Sequence, residues 1–248
     1  MTSLKLYGVP LSQPFRSVAW ALLQKKVPFE VKLAVPAMKS KVGAQGPEFL
    51  AKNPLGTVPV IEEPDGFCLC ESPAILTYLA DSRPDAFSDL YPTDPKARAK
   101  INGFMSWHHS GTRSLAMVLK PHIRPDLGVM DETQKAAVEA AAHSTLETLG
   151  RVFLADSPFL AGSTSASFAD LLAYEEVIQL PASKLLAIED ATVQAWMEKM
   201  EQLPYHDEVH ASLTTLGDLK SPNETPMQKR LGAATKAGLE AIKAAAAA

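Results

Sequence analysis

The sequence predicts a small α/β domain followed by an all-helical domain. Short runs that alternate apolar and polar residues, as strands do, lie within about the first eighty residues. Beyond a polar stretch with two prolines, residues 82–93, the apolar spacing is that of helices alone. The chain has 248 residues, 46% of them hydrophobic, which is enough for two modest domains that each bury a core.

The first elements predict a strand, a helix and a second strand. Residues 4–7 alternate and end in a turn that contains Gly8. Residues 14–25 carry the apolar stripe of an amphipathic helix, and Pro14 suits its first turn. Residues 29–33 alternate again, so the order implies a right-handed parallel crossover.

A second group of elements predicts two strands and a helix. The turn cluster Asn53–Gly56 precedes a strand over 58–61, and Pro64–Gly66 is typical of a hairpin turn into residues 67–70. Ser72 as N-cap and Pro73 as first helical residue then predict a helix to about Asp81. The β-α-β and β-β-α groups together predict one small sheet with helices packed on it.

The helical half divides into four predicted helices. They span 94–119, 131–153, a segment that begins with the capping pattern at Ser167–Asp170, and 189–203. The predicted domains are 1–83 and 94–217, with a linker at 84–93. Residues 218–248 form a polar and then Ala/Lys-rich tail, whose composition is compatible with a helix but gives it little apolar surface to bury.

Charge and cysteine content exclude several functions. The net charge of −4 gives no attraction to nucleic acid or anionic lipid. Cys68 and Cys70, one residue apart, suit neither a structural disulfide nor a four-ligand zinc site, so we expect small packing residues in a reducing compartment. Neither a secretory signal nor a bilayer-spanning run is evident, so the sequence predicts a cytoplasmic protein without membrane partners.

Three segments of the first half lead into predicted elements: Leu11–Arg16 into a helix, Asn53–Pro59 into a strand and residues 71–79 into a second helix. With Tyr91-Pro92, Ala97–Ala99, Trp107-His108 and Phe159–Gly162 leading into Ser167–Asp170, they resemble the glutathione transferases, specifically the theta class, over roughly residues 4–200. This resemblance implies a thioredoxin-like first domain and a homodimer. It also implies glutathione as a co-substrate rather than a bound cofactor, and no metal.

The resemblance implies that Ser12 holds the glutathione sulfur as a thiolate. A free thiol has a pKa of about 8.5, and each unit of lowering needs about 1.4 kcal/mol, within reach of one charge-assisted hydrogen bond plus a helix N-terminus. On position alone, Ser12 is equally an N-cap for the helix at Pro14. Tyr7 is the rival, because other classes of the family use a tyrosine near the end of the first strand. Serine at position 12 also excludes exchange through a mixed disulfide there.

Further glutathione contacts follow from the same resemblance. A cis bond before Pro59 would let the backbone of Val58 pair with the cysteinyl unit, although an edge-strand proline is the alternative. Glu71 and Ser72 would hold the γ-glutamyl group at a helix N-terminus. The remaining predicted contacts are Gln13, Arg113 of the partner subunit, and Lys41 or Gln45 for the glycine carboxylate, where the family usually offers a histidine or lysine and this chain departs from it.

The second substrate is expected to be an apolar electrophile. Met105, Trp107, His109 and Met117 are candidates for its pocket, and equally for the core. His108-His109 do not predict a metal site, because adjacent helical residues do not face each other. Asp170 is expected to be a structural cap. A peroxidase or dehalogenase on the same site remains an alternative, as does a non-catalytic binding scaffold, while a thiol-disulfide oxidoreductase would need a cysteine at position 12.

Overall fold

The computed structural model of the chain describes residues 3–124 and 130–248. Two compact units are present. The first contains Met1–Ser88 with Pro204–Ser212 and Ala234–Ala248, and the second contains Asp89–Leu203 with Leu213–Ala233. Every helix in the described ranges is too short or too polar to span a lipid bilayer.

The first unit is built on a four-stranded sheet. Its strands are β1 (Leu4–Gly8), β2 (Phe29–Leu33), β3 (Val60–Glu62) and β4 (Cys68–Cys70), in the order β2-β1-β3-β4. β1 pairs parallel with β2, whereas β1 with β3 and β3 with β4 are antiparallel. Helices α1 (Gln13–Gln24) and α3 (Ser72–Ser82) complete the predicted β-α-β and β-β-α order, which is therefore confirmed.

Three local details differ from the sequence predictions. β3 begins at Val60 rather than at 58, because Pro59 has no N–H for the ladder. Two single-turn helices were not predicted: α2 (Pro47–Leu50) and α4 (Pro84–Phe87), the latter inside the expected linker. One turn is too short to show a helical period.

The second unit is helical, as predicted. It contains α5 (Pro95–His108), a 3₁₀ turn (Thr112–Leu115), α6 (Ala116–Ile123), α7 (Glu132–Thr148) continued by a π-turn (Leu149–Phe153), α8 (Phe168–Ala182) and α9 (Ala191–Glu201). α10 (His206–Leu216), which was not predicted, and α11 (Met227–Ala247) each contribute residues to both units.

The single helix expected over 94–119 is interrupted after α5. Gly111 has φ −93° and ψ −107°, outside helical values. A Cβ at this position would lie 2.4 Å from the ring of Trp107. Glycine therefore lets the chain turn against the tryptophan, and the helical pattern resumes from Thr112.

The tail is ordered as a helix. α11 buries a narrow stripe of Ala234, Gly238 and Ile242. This agrees with the expectation of a tail with little apolar surface to bury. A stripe made partly of alanine and glycine gives a weak hydrophobic pattern in sequence, yet small residues let a helix approach its neighbours closely.

Asp170 organises the second unit. Its fully buried carboxylate accepts hydrogen bonds from the Leu160 N–H (2.8 Å), the Trp196 indole (2.9 Å), and the N–H and hydroxyl of Ser167 (2.8 Å each). The predicted structural cap is confirmed, and it joins α8 to α9 and to the turn before α8.

Candidate functional site

The register of the sheet brings the three predicted glutathione segments to the same end of the sheet. Tyr7 pairs with Val60, which pairs with Cys70 on its other side. The chain leaving β1 toward Ser12, entering β3 through Val58 and leaving β4 toward Ser72 therefore lies at the same end of three adjacent strands. Adjacent strands are about 4.8 Å apart, so these segments form one contiguous surface of tripeptide size.

Ser12 occupies the N-cap position of α1 without capping it. Its backbone is extended (φ −82°, ψ 120°), its N–H donates to the Val9 carbonyl (2.8 Å), and its carbonyl accepts from Arg16 (3.0 Å). The half-buried side chain makes no cap hydrogen bond and has no other partner among the described residues. A hydroxyl in this place is available to donate to a ligand at the helix N-terminus.

The side chain of Tyr7 is held by contacts within the protein. Its hydroxyl donates to Glu62 (2.6 Å), a carboxylate that also pairs with Lys5 (2.8 Å) and Lys52 (2.7 Å). Burial and the hydrogen bond to Glu62 raise the pKa of Tyr7 well above its ordinary value. The ring packs edge-on against Phe49. These contacts support a packing role for Tyr7 rather than a catalytic one.

The loop before β3 is held by side chains and leaves Val58 open. The Val58–Pro59 bond is cis, as predicted. Asn53, 1% exposed, donates to the Thr57 carbonyl (2.8 Å) and accepts from the Leu55 N–H (3.1 Å). The backbone of half-buried Val58 has no hydrogen-bond partner in the part of the chain that the structure describes. Its N–H and carbonyl are therefore available to an extended ligand.

Asn53 orders this loop, a role that the sequence alone did not predict. Its position in the turn cluster was the available signal, because asparagine side chains commonly bond to backbone two residues on. Gln45, a predicted ligand of the glycine carboxylate, donates its amide to the Gly56 carbonyl (3.2 Å) and so also supports this loop. Its contact with glutathione remains a prediction.

The start of α3 offers a second set of open donors. Glu71, rather than the predicted Ser72, is the N-cap residue, and it has a left-handed φ of 69°. Non-glycine residues in this region are strained, and such strain is frequent at binding sites. Ser72 is 5% exposed, yet its hydroxyl has no hydrogen-bond partner within the described ranges. An unpartnered hydroxyl at a helix N-terminus suits a carboxylate ligand.

The other predicted contacts of the first unit are placed without a ligand-specific feature. Gln13 is the first residue of α1, is 8% exposed and already interacts with other groups of the protein. Lys41 is exposed, and no ion pair is found for it in the described chain. Both assignments stay predictions.

Arg113 of the second unit lies in an internal ion pair. Its guanidinium contacts the carboxylate of Glu176 at 2.8 Å, and the Glu176 side chain is 1% exposed. The predicted role, a contact with the partner subunit's glutathione, is not tested by this pair. The pair shows where the guanidinium is held in the single chain.

The four candidate pocket residues have different environments. Met105 is 6% exposed, as a core residue would be. Trp107 packs on Phe153 with ring centroids 4.6 Å apart, and His109 is exposed. Met117, 41% exposed, lines a cavity of about 390 Å³ between α6 and α7. Their contact with a second substrate stays a prediction.

Metal-type clusters and disulfides are not found in the described part of the chain. No group of three or more histidine, cysteine or acidic side chains is close enough there to hold a metal ion. Cys68 and Cys70 are free thiols that pack beside the small cluster around Val60. Burial raises the pKa of the Cys68 thiol, which disfavours a reactive thiolate at this position.

Comparison with known proteins identifies the class to which this fold and site belong. A family model described as glutathione S-transferase, N-terminal domain, matches residues 6–87. Glutathione S-transferase T1 of Arabidopsis thaliana is 34% identical over 254 residues, which cover 97% of this chain and 99% of that protein. Glutathione S-transferase T3 of the same plant is 33% identical over 249 residues, which cover 95% of this chain but 40% of T3.

A solved structure gives the same result. The human theta-class glutathione transferase in complex with the glutathione conjugate of 1-menaphthyl sulfate matches with a TM-score of 0.79 and 29% identity, over 98% of this chain and 99% of the human one. The fold class is thus a thioredoxin-like domain followed by a helical domain, as predicted. Glutathione S-transferase theta-2 of Homo sapiens is also 34% identical over 182 residues, which cover 71% of this chain and 71% of that protein. The chain belongs to the glutathione S-transferase family, theta class, and the prediction of a glutathione transferase is confirmed at the level of that family.

Proposed function

We propose that the chain conjugates glutathione to apolar electrophiles and that Ser12 activates the glutathione sulfur. The carrying observation is the contrast between two hydroxyls: that of Ser12 is open at the start of α1, whereas that of Tyr7 is bound to Glu62. In the proposed reaction the thiolate attacks an electrophilic carbon. A carbon–sulfur bond forms, and the leaving group departs with the electrons of the broken bond.

The proposed orientation of glutathione uses the unpartnered hydrogen-bonding groups at this end of the sheet. The γ-glutamyl carboxylate lies at the N-terminus of α3 with Ser72, and its amino group donates to Glu71. The cysteinyl backbone pairs with Val58, which directs the sulfur toward Ser12. Gln13 and one of Lys41 and Gln45 complete the site, and Arg113 approaches from a second subunit.

Ser12 is proposed to act as a hydrogen-bond donor and not as a base. A hydrogen bond to a charged group contributes about 1.5–3 kcal/mol, and one pKa unit corresponds to about 1.4 kcal/mol. One such bond therefore lowers the thiol pKa by about one to two units. That change moves it from about 8.5 to near neutral pH, where the thiolate is the reactive form.

The test is a pH titration of the ultraviolet absorbance of the glutathione thiolate bound to three proteins: wild type, Ser12→Ala and Tyr7→Phe. We expect the midpoint to rise by about one to two pH units in Ser12→Ala, since a charge-assisted hydrogen bond is lost. Tyr7→Phe is the matched control, because it removes the rival hydroxyl, and its midpoint should equal that of wild type.

Each other outcome selects a different function. Coincident wild-type and Ser12→Ala curves would exclude Ser12 as activator, and a shift in Tyr7→Phe would assign the role to Tyr7. Absence of thiolate near neutral pH in wild type would favour the binding scaffold.

With the thiolate established, 1-menaphthyl sulfate is a suitable first electrophile, because the human neighbour was solved with its glutathione conjugate. Hydroperoxides and haloalkanes then separate transferase from peroxidase and dehalogenase activity. A homodimer in the cytoplasm is part of the proposal and is supported by family membership alone.

A further inference from the structure

The peptide carbonyl of Pro10 is held from two sides. It accepts a hydrogen bond from the guanidinium of Arg16 (3.1 Å) and another from the hydroxyl of Ser212 on α10 (3.0 Å). Arg16 and Ser212 are both fully buried. Pro10 itself is buried, and it lies two residues before Ser12.

The turn between Pro10 and Ser12 is closed on itself. The Ser12 N–H donates to the Val9 carbonyl at 2.8 Å, so the residues between them form one hydrogen-bonded turn. The ring of Pro10 fixes its own φ angle. A displacement of Pro10 is therefore passed to Ser12 rather than absorbed between them.

Gly238 of α11 is packed against the same point. A Cβ added at Gly238 would lie 2.6 Å from Cβ of Pro10 and 2.9 Å from Cβ of Ser212. Carbon atoms in favourable contact are about 3.5–4.0 Å apart, so any side chain here must displace one of its neighbours. Glycine is the least favourable residue after proline inside a helix, and at Gly238 these two close approaches supply a packing reason for it.

A second glycine of the same helix provides the contrast. No atom lies within 4 Å of a Cβ built at Gly232, which is exposed. The two positions are six residues apart in α11 and differ in their contact with the turn. Gly232 is therefore a matched control for the same substitution in the same helix.

We propose that Ser212 and Gly238 are positioning residues for Ser12, acting through Pro10. The close approach of α11 at Gly238 and the hydrogen bond from Ser212 set the place of the Val9–Ser12 turn, and with it the direction of the Ser12 hydroxyl. Hydrogen-bond donors in active sites must be held to within about 0.5 Å of the productive geometry, which such a two-sided contact provides. This inference rests on the proposed function of Ser12.

The experiment titrates bound glutathione thiolate against pH in Gly238→Ala, Gly232→Ala, Ser212→Ala and Ser183→Ala. Ser183 is the control for Ser212, because its buried hydroxyl also donates to a backbone carbonyl, that of Gln179 (2.6 Å), but in the second unit. Urea unfolding of each variant measures stability separately. We expect the thiolate midpoint to rise by at least half a pH unit in Gly238→Ala and Ser212→Ala, and to match wild type in Gly232→Ala and Ser183→Ala.

Ser12→Ala, measured alongside, distinguishes failure of the positioning role from failure of the proposed function. If Ser12→Ala raises the midpoint but Gly238→Ala and Ser212→Ala do not, the positioning role is overturned and the proposed function stands. If Ser12→Ala has no effect either, both fail. A loss of stability in Gly238→Ala or Ser212→Ala with an unchanged midpoint shows a structural role only and also overturns the inference. Should Gly238→Ala not fold, Ser212→Ala decides by the same criterion.

Discussion

At the scale of single residues, the surroundings of a side chain decide its chemistry more than its type does. Tyr7 and Ser12 both carry hydroxyls near the end of β1. The Tyr7 hydroxyl donates a hydrogen bond to Glu62, 55 positions along the chain, whereas the Ser12 hydroxyl has no partner among the described residues. The sequence could name both candidates and favour Ser12 by resemblance. It could not show the Tyr7–Glu62 contact, because that depends on the pairing of β1 with β3.

Glu62 itself gives a prediction for acid stability. Burial alone would raise its pKa, but hydrogen bonds from Lys5, Lys52 and Tyr7 outweigh it and lower the pKa to about 2. An unfolded glutamate titrates at about 4.3, so the stabilisation is complete above that pH and is lost as the pH falls toward 2. We expect Glu62→Gln to be less stable than wild type at pH 7, with the difference shrinking below about pH 4.3, measured by urea unfolding.

Glu30→Gln is the control for this measurement. Glu30 also pairs with a lysine, Lys32, but its side chain is 52% exposed. Exposed pairs contribute about 0–1 kcal/mol, so this variant should follow wild type at every pH. An equal loss in both variants at pH 7 would contradict the role assigned to the Glu62 cluster.

At the scale of elements, prediction succeeded where a hydrophobic period runs over several residues. β1, β2 and α1 were found in this way, whereas the starts of α3 and α8 were found from the capping residues at Ser72–Pro73 and Ser167–Asp170. The single-turn helices α2 and α4 have no period to detect. The packing of Gly238 in α11 could not be predicted, because glycine contributes no apolar signal, yet a Cβ there would lie 2.6 Å from Cβ of Pro10. The interruption at Gly111 depends on the position of the Trp107 ring, which sequence does not give.

Two helix caps with similar sequence patterns should differ greatly in energetic importance. Asp170 serves four donors in full burial, whereas Asp131 accepts from the Gln134 N–H (2.8 Å) at the exposed start of α7. Each buried donor left unpaired costs about 1–3 kcal/mol, and an exposed cap about 0.5–2 kcal/mol. We expect Asp170→Ala to lose most of a stability of about 5–15 kcal/mol, and Asp131→Ala to remain folded.

Thermal unfolding followed by circular dichroism measures both variants. A Tm for Asp170→Ala within a few degrees of that of Asp131→Ala would show that the four hydrogen bonds are replaced when the carboxylate is removed. The comparison would then assign the stability of α8 to its apolar contacts instead of to the cap.

At the scale of the whole molecule, the two compact units contain different acid-sensitive groups. The Glu62 cluster belongs to the first unit, and His108 belongs to the second. His108 is 3% exposed and its Nδ1 lies 2.6 Å from the Thr112 hydroxyl. Burial, with the nearby charge of Arg113, lowers the pKa of His108 to about 3. As the pH falls, the second unit should therefore lose the stability that neutral His108 contributes. This loss should begin at a higher pH than the loss of the contribution of Glu62 in the first unit.

The direction in which stability changes with pH follows from proton binding by His108. The unfolded chain protonates His108 below about pH 6.5 and the folded chain only near pH 3, so stability falls with falling pH between these values, by up to about 1.4 kcal/mol per pH unit. His108→Gln removes this pH-dependent contribution to stability. We expect the variant to be less stable than wild type at pH 8, and its stability to approach or exceed that of wild type at pH 4. Urea unfolding at both pH values, with exposed His143→Gln as control, measures the effect. A constant difference between His108→Gln and wild type would contradict a neutral, buried His108. If the two units unfold in separate transitions, the change must appear in that of the second unit, because the hydrogen bond of His108 to Thr112 and its ring contacts with Phe104 and His109 all lie within that unit.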